Sequence, residues 1–360
     1  MTNTIIDNRF THLHVHTEFS MLDGAARLDD LFSEAAKHEM PAIAMTDHGN
    51  VYGAFEFWRK AKAHDVKPII GMEGYLAPGS RHERKRTALG NGSENNPDLM
   101  YTHMTLLAEN TEGMHNLFRL SSLASLEGYY YKPRMDRELL EKYGKGLIAT
   151  TGCPSGEVAR LLQQHDFDAA CQAASDYRDI FGKDNFFLEL MDHGIEIEKR
   201  VQEDLFRLKD KLDLPGLATN DLHYTYPDDT KAHEVLLCVQ TGKTLADPNR
   251  FKFDAQDFYL KSAAEMRQLW DPIHPEACDN TLLVAERCNI DFTTGQDLQP
   301  KAPVPEGETE ESWLIKEVER GLHMRFPDGV TEKYRQQANY EVGVIIKMGY
   351  PGYFLVTADL

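Results

Sequence analysis

HLHVHTEFSMLD, residues 12–23, is the stretch from which the rest of this chain is best read. His14 and His16 stand at i and i+2 in the apolar run near 11–15. On a strand that spacing points both imidazoles to one side, and at a strand's C-terminal end both can reach one cation or two adjacent ones. His12 falls on the same face, and Asp23 adds a carboxylate shortly afterwards. Histidines on a polar strand face are common, so the pair needs support from elsewhere.

Further short apolar or β-branched runs lie near 42–46, 68–72, 104–108, 147–151, 186–190 and 216–219, most of them separated by segments of helical periodicity. The segment 28–40 places Leu28, Leu31, Phe32, Ala35 and Ala36 on one face and Asp29, Asp30, Glu34 and Lys37 on the other, before Pro41 stops it. The same pattern predicts helices over 53–64, 113–125, 155–163, 167–181 and 196–212, the last ended by Pro215-Gly216. Seven strands with their helices predict an α/β fold, a closed seven-stranded βα barrel. An open doubly wound sheet is the alternative. It would gather its site at one switch point, whereas here nearly every strand contributes a candidate ligand.

IAMTDHGN at 43–50 breaks just before His48, with Asp47 able to orient an imidazole from behind, and PIIGMEGY at 68–75 delivers Glu73 after a glycine. YTHMTLLA at 101–108 holds His103, which opens its strand rather than ending it, and ATTGCPSG at 149–156 holds Cys153. GLATNDLHY at 216–224 closes on Asp221 and His223, a second i, i+2 pair. His14, His16, Asp23, His48, Glu73, His103, Cys153, Asp221 and His223 make nine candidate ligands, more than one tetrahedral ion can use, so two or three divalent ions are expected. Thiolate and imidazole favour zinc or iron, while carboxylates also suit manganese or magnesium. Asp23, Glu73 or Asp221 can bridge neighbouring cations, and metal binding lowers the pKa of water, an arrangement suited to phosphate ester hydrolysis.

Composition limits the alternatives. With 39 Lys and Arg against 58 Asp and Glu the net charge is −19, the wrong sign for holding nucleic acid by overall attraction. Bound divalent ions or local basic loops can reverse that sign at a site. The five cysteines form no CxxC pair, which argues against a disulfide framework or a zinc ribbon. No leading segment looks like a signal peptide and no apolar run approaches the roughly 20 residues of a membrane span, so a soluble, cytoplasmic protein without a membrane partner is expected.

Two basic stretches qualify as phosphate contacts. GYYYKPRMD at 128–136 sets Lys132 and Arg134 beside tyrosines, suited to phosphate contact and base stacking, or else to packing beneath the barrel rim. RHERKR followed by GNGSENN, between Pro78 and Pro97, predicts a long surface loop, either solvated or phosphate-contacting. Residues 1–275 are read as the metal-binding domain, 276–310 as a Pro-rich acidic linker, and 311–360 as the start of a mainly helical extension with helices over 311–325 and 331–348. The chain stops without a cap or polar tail, so it is expected to be part of a longer protein.

HLHVHTEFSMLDG, MTDHGN, GMEGY, YYYKPR and TNDLHY, in this order, resemble the polymerase and histidinol phosphatase (PHP) domain that begins bacterial DNA polymerase III alpha subunits. YEVGVIIKMGYPGYFLVTADL at 340–360 resembles the start of that family's polymerase palm. The resemblance implies a distorted seven-stranded barrel, a three-metal site on one rim and a role in DNA replication. It implies His14 and His16 on one ion with help from Glu73 and Asp221, His48, Asp23 and His223 on a neighbour, and Glu73, His103 and Cys153 completing the cluster. Members with an intact site act as 3′ to 5′ exonucleases, with His14, Asp23, His48 and Asp221 as the catalytic set expected here. Its partners would be a DNA primer 3′ end, the remainder of the polymerase chain, and replisome subunits such as the sliding clamp through regions beyond residue 360. The other readings are a metal-stabilised scaffold without catalysis and a small-molecule phosphoesterase. The palm's catalytic carboxylates lie beyond Leu360, so any activity of this chain is expected to be hydrolytic.

Overall fold

The computed structural model describes residues 8–89, 99–296 and 298–360. The chain divides into two compact units, Met1–Phe292 and Thr293–Leu360. The first contains strands β1 (Ala42–Met45), β2 (Lys67–Leu76), β3 (Thr102–Ala108), β4 (Arg134–Met135), β5 (Leu147–Thr150), β6 (Phe186–Leu190) and β7 (Gly216–Ala218). Around them lie α1 (Leu28–Lys37), α2 (Ala54–Ala63), α3 (Thr111–Leu126), α4 (Arg137–Tyr143), α5 (Glu157–Gln163), α6 (Phe167–Phe181), α7 (Glu196–Leu212), α8 (Thr230–Thr241), α9 (Ala263–Trp270) and α10 (Pro275–Arg287).

The sheet runs β1-β2-β3-β5-β6-β7, with β4 paired to β2 off this path. Its two free edges are joined by the opening segment. Ala44 N–H donates to the His12 carbonyl at 2.9 Å and Thr46 N–H to that of Val15 at 2.8 Å, while on the other side His16 N–H donates to Leu222 O at 2.7 Å and Leu222 N–H to His14 O at 3.1 Å. The run expected as a strand at 11–15 is therefore not a regular strand but a bridging segment, and it closes the ring.

One strand departs from a simple parallel barrel. β3 is antiparallel to both β2 and β5, whereas the remaining pairs are parallel. A parallel return needs a crossover, usually a helix, and no helix among the described residues joins β2 to β3. GNGSENN, in that connection, lies outside the described residues. The fold is thus a distorted, mixed barrel.

Its interior is layered. Leu13, Ala42, Ala44, Ile69, Leu107, Ile148, Phe187 and Leu217 form a buried apolar floor joined by Val284 and Ala285 of α10 and by Cys288 just after it. Lys67 at the start of β2 donates to Ala285 O at 2.6 Å, and Asn280 Nδ2 donates to the carbonyl of Gly216 at the start of β7 at 2.7 Å. α10 therefore closes the end where the parallel strands begin and belongs to the first unit. The boundary expected at 275 falls instead after Phe292, because α10 is amphipathic and its apolar side completes the floor.

The second unit holds α11 (Glu310–Arg325), α12 (Glu332–Lys347) and α13 (Pro351–Asp359). α11 begins on Thr309, whose hydroxyl accepts from Ser312 N–H at 3.1 Å, satisfying one of the helix's free amides. Among the described residues no helix is long and apolar enough to cross a membrane. Ile148 is fully buried in the floor, so Ile148→Ala is expected to lower unfolding free energy by about 2–4 kcal/mol in chemical denaturation.

Candidate metal centre

Residues of the same inward parity as the floor become polar toward the other rim. On β2 the sequence runs Ile69, Gly71, Glu73; on β3, Leu107, Thr105, His103; on β6, Phe187, Glu189; and on the β7 segment, Leu217, Thr219, Asp221. Reversal of β3 explains His103. Because the strand runs antiparallel, its beginning lies at the rim where β2 ends, and Thr105 pairs with Glu73 while His103 pairs with Tyr75.

All nine candidate ligands meet at this rim. His14 Nε2, His16 Nε2 and Asp221 Oδ1 form a triangle with sides of 3.2 Å. Ligands on a tetrahedral ion with bonds of about 2.0–2.1 Å are spaced by about 3.3 Å. Glu73 Oε1 lies 3.5 Å from His14 Nε2, 2.8 Å from His103 Nδ1 and 3.3 Å from Cys153 Sγ, and Glu73 Oε2 lies 3.7 Å from His16 Nε2 and 2.6 Å from His48 Nδ1. Asp23 reaches His48 Nε2 at 2.9 Å and His223 Nε2 at 3.7 Å. Among the described residues three overlapping groups have the spacing to hold an ion: His14, His16 and Glu73; His16, His48 and His223; and His48, Glu73 and His103.

Buried polar atoms without a hydrogen bond concentrate here. Asp23 Oδ1, His48 Nδ1, Glu73 Oε2 and Asp221 Oδ1 are all in this condition; the close His48–Glu73 approach is not aligned as a hydrogen bond. Buried polar atoms are normally paired, so these groups fit a cation between them.

The electrostatics agree. Burial opposes charge on His48, but Glu73 and Asp23 override it and raise its pKa to about 10. Burial likewise opposes charge on His14, and Glu189 and Asp221 hold its pKa well above the usual imidazole range. His16 goes the other way, lowered to about 3 by burial and then by His48 and His223, so it is a neutral donor. Asp23, Glu73 and Asp221 stay ionised despite burial because imidazoles surround them. Burial followed by Glu73 and Asp221 keeps the Cys153 thiol protonated. Divalent cations would take over the charge that protons on His14 and His48 supply.

A supporting layer holds these ligands. Glu189 is buried between barrel strands and accepts from His14 Nδ1 at 2.6 Å, Thr219 Oγ1 at 2.7 Å, Thr105 Oγ1 at 3.0 Å and the Thr150 hydroxyl. Sequence reasoning missed it, although a glutamate inside the apolar run FFLEL at 186–190 was a visible signal. Asp47 acts through Ser20, whose hydroxyl donates to it at 2.7 Å and lies 3.0 Å from His16 Nδ1. Asp221 adopts a left-handed φ of 43°. Its neighbour Asn220 is fixed by His193 Nε2 on its carbonyl at 2.9 Å, by the carbonyls of Asp257 and Tyr259, and by Lys261 Nζ at 3.0 Å. His233, also missed, lies 3.9 Å from Asp23 Oδ1.

His12, on the same face in the sequence, is not among the nine ligands, and its Nε2 donates to the Lys261 carbonyl at 2.8 Å. Two expectations are corrected. Arg134 is not placed to bind substrate. It is buried on β4 and donates to the carbonyls of Gly128, Met100, Arg81 and Glu83, at 3.0, 3.1, 3.2 and 2.6 Å. Arg81, the first residue of RHERKR, is likewise committed, to Glu127, Asp136 and Glu138. Lys132 remains near the site, 5.3 Å above the ring of Tyr75, which packs against His48 and His103.

Glu189→Ala is expected to weaken metal affinity about 10–100-fold by isothermal titration, with Glu189→Gln intermediate because it retains one acceptor. Arg134→Leu should cost about 2–4 kcal/mol in denaturation, since it strands buried carbonyls, while metal content stays unchanged.

Comparison with known proteins shows the family to which the chain belongs. Residues 12–193 match the PHP domain family, and residues 312–360 match the family described as bacterial DNA polymerase III alpha NTPase domain. The chain is 52% identical over 367 residues to DNA polymerase III subunit alpha of Mycobacterium tuberculosis, covering 100% of this chain and 31% of that protein. It is 54% identical over 359 residues to the Mycobacterium leprae protein of the same name, covering 98% and 30%. Among solved structures, a Bifidobacterium adolescentis protein described as a metal-dependent phosphoesterase aligns with a TM-score of 0.36 and 16% identity, over 60% of this chain and 88% of that one. The chain spans about a third of the length of the curated relatives it matches. It belongs to the PHP domain family, in the form that opens DNA polymerase III alpha subunits.

Proposed function

We propose that this chain is the N-terminal part of a bacterial replicative DNA polymerase whose first unit is a metal-dependent 3′ to 5′ exonuclease. The observation that carries this reading is the convergence of nine ligand-type residues at one rim, beneath an open cleft of about 380 Å³. Asp23, His48, Glu73, His103, Cys153, Asp221 and His223 all face the cleft, so a substrate entering it meets the cluster directly.

Two or three divalent ions held there would act as Lewis acids on a phosphate oxygen and lower the pKa of a water, making it nucleophilic near neutral pH. The chain's own residues do the positioning. Glu73 stands between the ligand groups, Asp23 and Asp221 supply carboxylates on either side, and the neutral His16 offers a lone pair without needing to lose a proton. Zinc, manganese and iron suit this mixed set of nitrogen, oxygen and sulfur donors better than magnesium does. His14, Asp23, His48 and Asp221 are the residues on which hydrolysis depends most.

In this reading the second unit begins the polymerase palm, which is completed beyond residue 360. The setting is the bacterial cytoplasm at a primer 3′ end, with the rest of the polymerase chain and replisome subunits such as the sliding clamp as partners.

A 3′-mismatched primer should be shortened in the presence of manganese or zinc and spared after chelation. His14→Ala and Asp23→Ala should each lower that rate by at least about 100-fold. Undiminished degradation by either variant would remove the proposal, and preferential hydrolysis of a simple aryl phosphate would redirect it to small-molecule chemistry.

A further inference from the structure

The cleft has a wall that the metal cluster does not account for. Phe251, Lys252 and Phe253 line it on a segment that is fixed on both sides. Upstream, Arg250 pairs with Glu234 of α8 at 2.7 Å; downstream, Phe258 O accepts from His223 N–H at 2.8 Å and Leu260 N–H donates to Thr225 O at 3.2 Å. Phe253 packs edge-on against His223 with ring centres 4.7 Å apart, and against His233 at 4.8 Å. The wall is therefore built onto the ligand cluster.

Phe251 differs from its neighbour. It is 52% exposed and, among the described residues, touches another ring only at Phe253, edge to face with centres 6.0 Å apart. Beside it, Lys252 is, among the described residues, the only lysine or arginine lining the cleft, whose other charged groups include Asp23, Glu73, Glu198, Asp221 and Asp254. Among the described residues Lys252 makes no ion pair or hydrogen bond, in contrast to Arg250 two positions earlier. A free aromatic face and an unpaired cation thus stand together above the metal ligands, in a cleft of about 380 Å³. That is the size range of pockets for small ligands of about nucleotide dimensions.

We infer that Phe251 and Lys252 form the subsite for the terminal nucleotide, Phe251 stacking on its base and Lys252 contacting its phosphate. The inference rests on the exonuclease reading and adds to it the residues that grip the end being removed. Stacking on a single phenyl face is indifferent to base identity, as removal of any misincorporated nucleotide requires. One cation beside the cluster offsets the repulsion that a carboxylate-rich cleft exerts on phosphate.

The test is equilibrium binding of 2-aminopurine deoxyribonucleoside 5′-monophosphate to the whole chain, read by fluorescence, with metal content measured for every variant. The unmodified chain should quench the fluorophore. Phe251→Ala should weaken binding about tenfold and abolish the quench, and Phe251→Trp should restore both. Lys252→Glu should weaken binding about tenfold while the quench at saturation persists. Unchanged affinity and quench in Phe251→Ala would overturn the subsite, as would absence of quenching by the unmodified chain. Competition by deoxyribose 5-phosphate as strong as that of the nucleotide would do the same. Nucleotide binding without hydrolysis of primer DNA would remove the exonuclease reading and leave the subsite standing; hydrolysis with binding insensitive to Phe251 would remove only the subsite.

Discussion

A single buried carboxylate organises the rim of this barrel. Glu73 is within 3.7 Å of His14, His16, His48, His103 and Cys153, yet only 1% of its surface is exposed. A carboxylate so far from water is strongly unfavourable unless positive charge and hydrogen bonds compensate it. Four imidazoles gathered from three separate segments provide that compensation, and cations would provide it better. The energetics that make the cluster a binding site therefore also make it a structural keystone, because whatever binds the folded arrangement alone stabilises it.

Rigidity around this point comes from the layer beneath. Glu189 and the hydroxyls of Thr105, Thr150 and Thr219 lie between the apolar floor and the ligands, and each is tied to a different barrel strand or its immediate extension. Ligand orientation is thus set by the barrel itself rather than by loops, the condition under which a site keeps its geometry. The strained Asp221 is held in the same manner, through Asn220 and the segment that carries Tyr259 and Lys261.

Much of this was legible in the residues. Six of the seven expected strands form at the expected places, because buried strands bounded by glycine, proline and helical periodicity leave a clear trace. The exception, 11–15, has the pattern of a strand but joins two edges through scattered bonds, a tertiary arrangement that local periodicity does not encode. Reversal of β3 was visible only as an oddity in the position of His103. Arg134 was misread because an arginine among tyrosines looks the same in sequence whether it faces solvent or fills a ring of carbonyls. Glu189 and His233 were missed because each stands singly within an element, with no spacing motif to announce it. α8 and α9 follow the last expected strand and were not anticipated, although the Ser262–Glu265 capping box and the i, i+4 spacing of Met266 and Trp270 mark α9.

The closing segment has a consequence for biosynthesis. His14 and His16 are locked in place by Leu222, and His12 by Lys261, residues that emerge from the ribosome long after them. The nascent chain must expose its first histidines through most of the translation of this unit before their permanent neighbours exist. The ligand set proposed for the metal centre is therefore complete only once Asp221 and His223 have been made and the ring has closed.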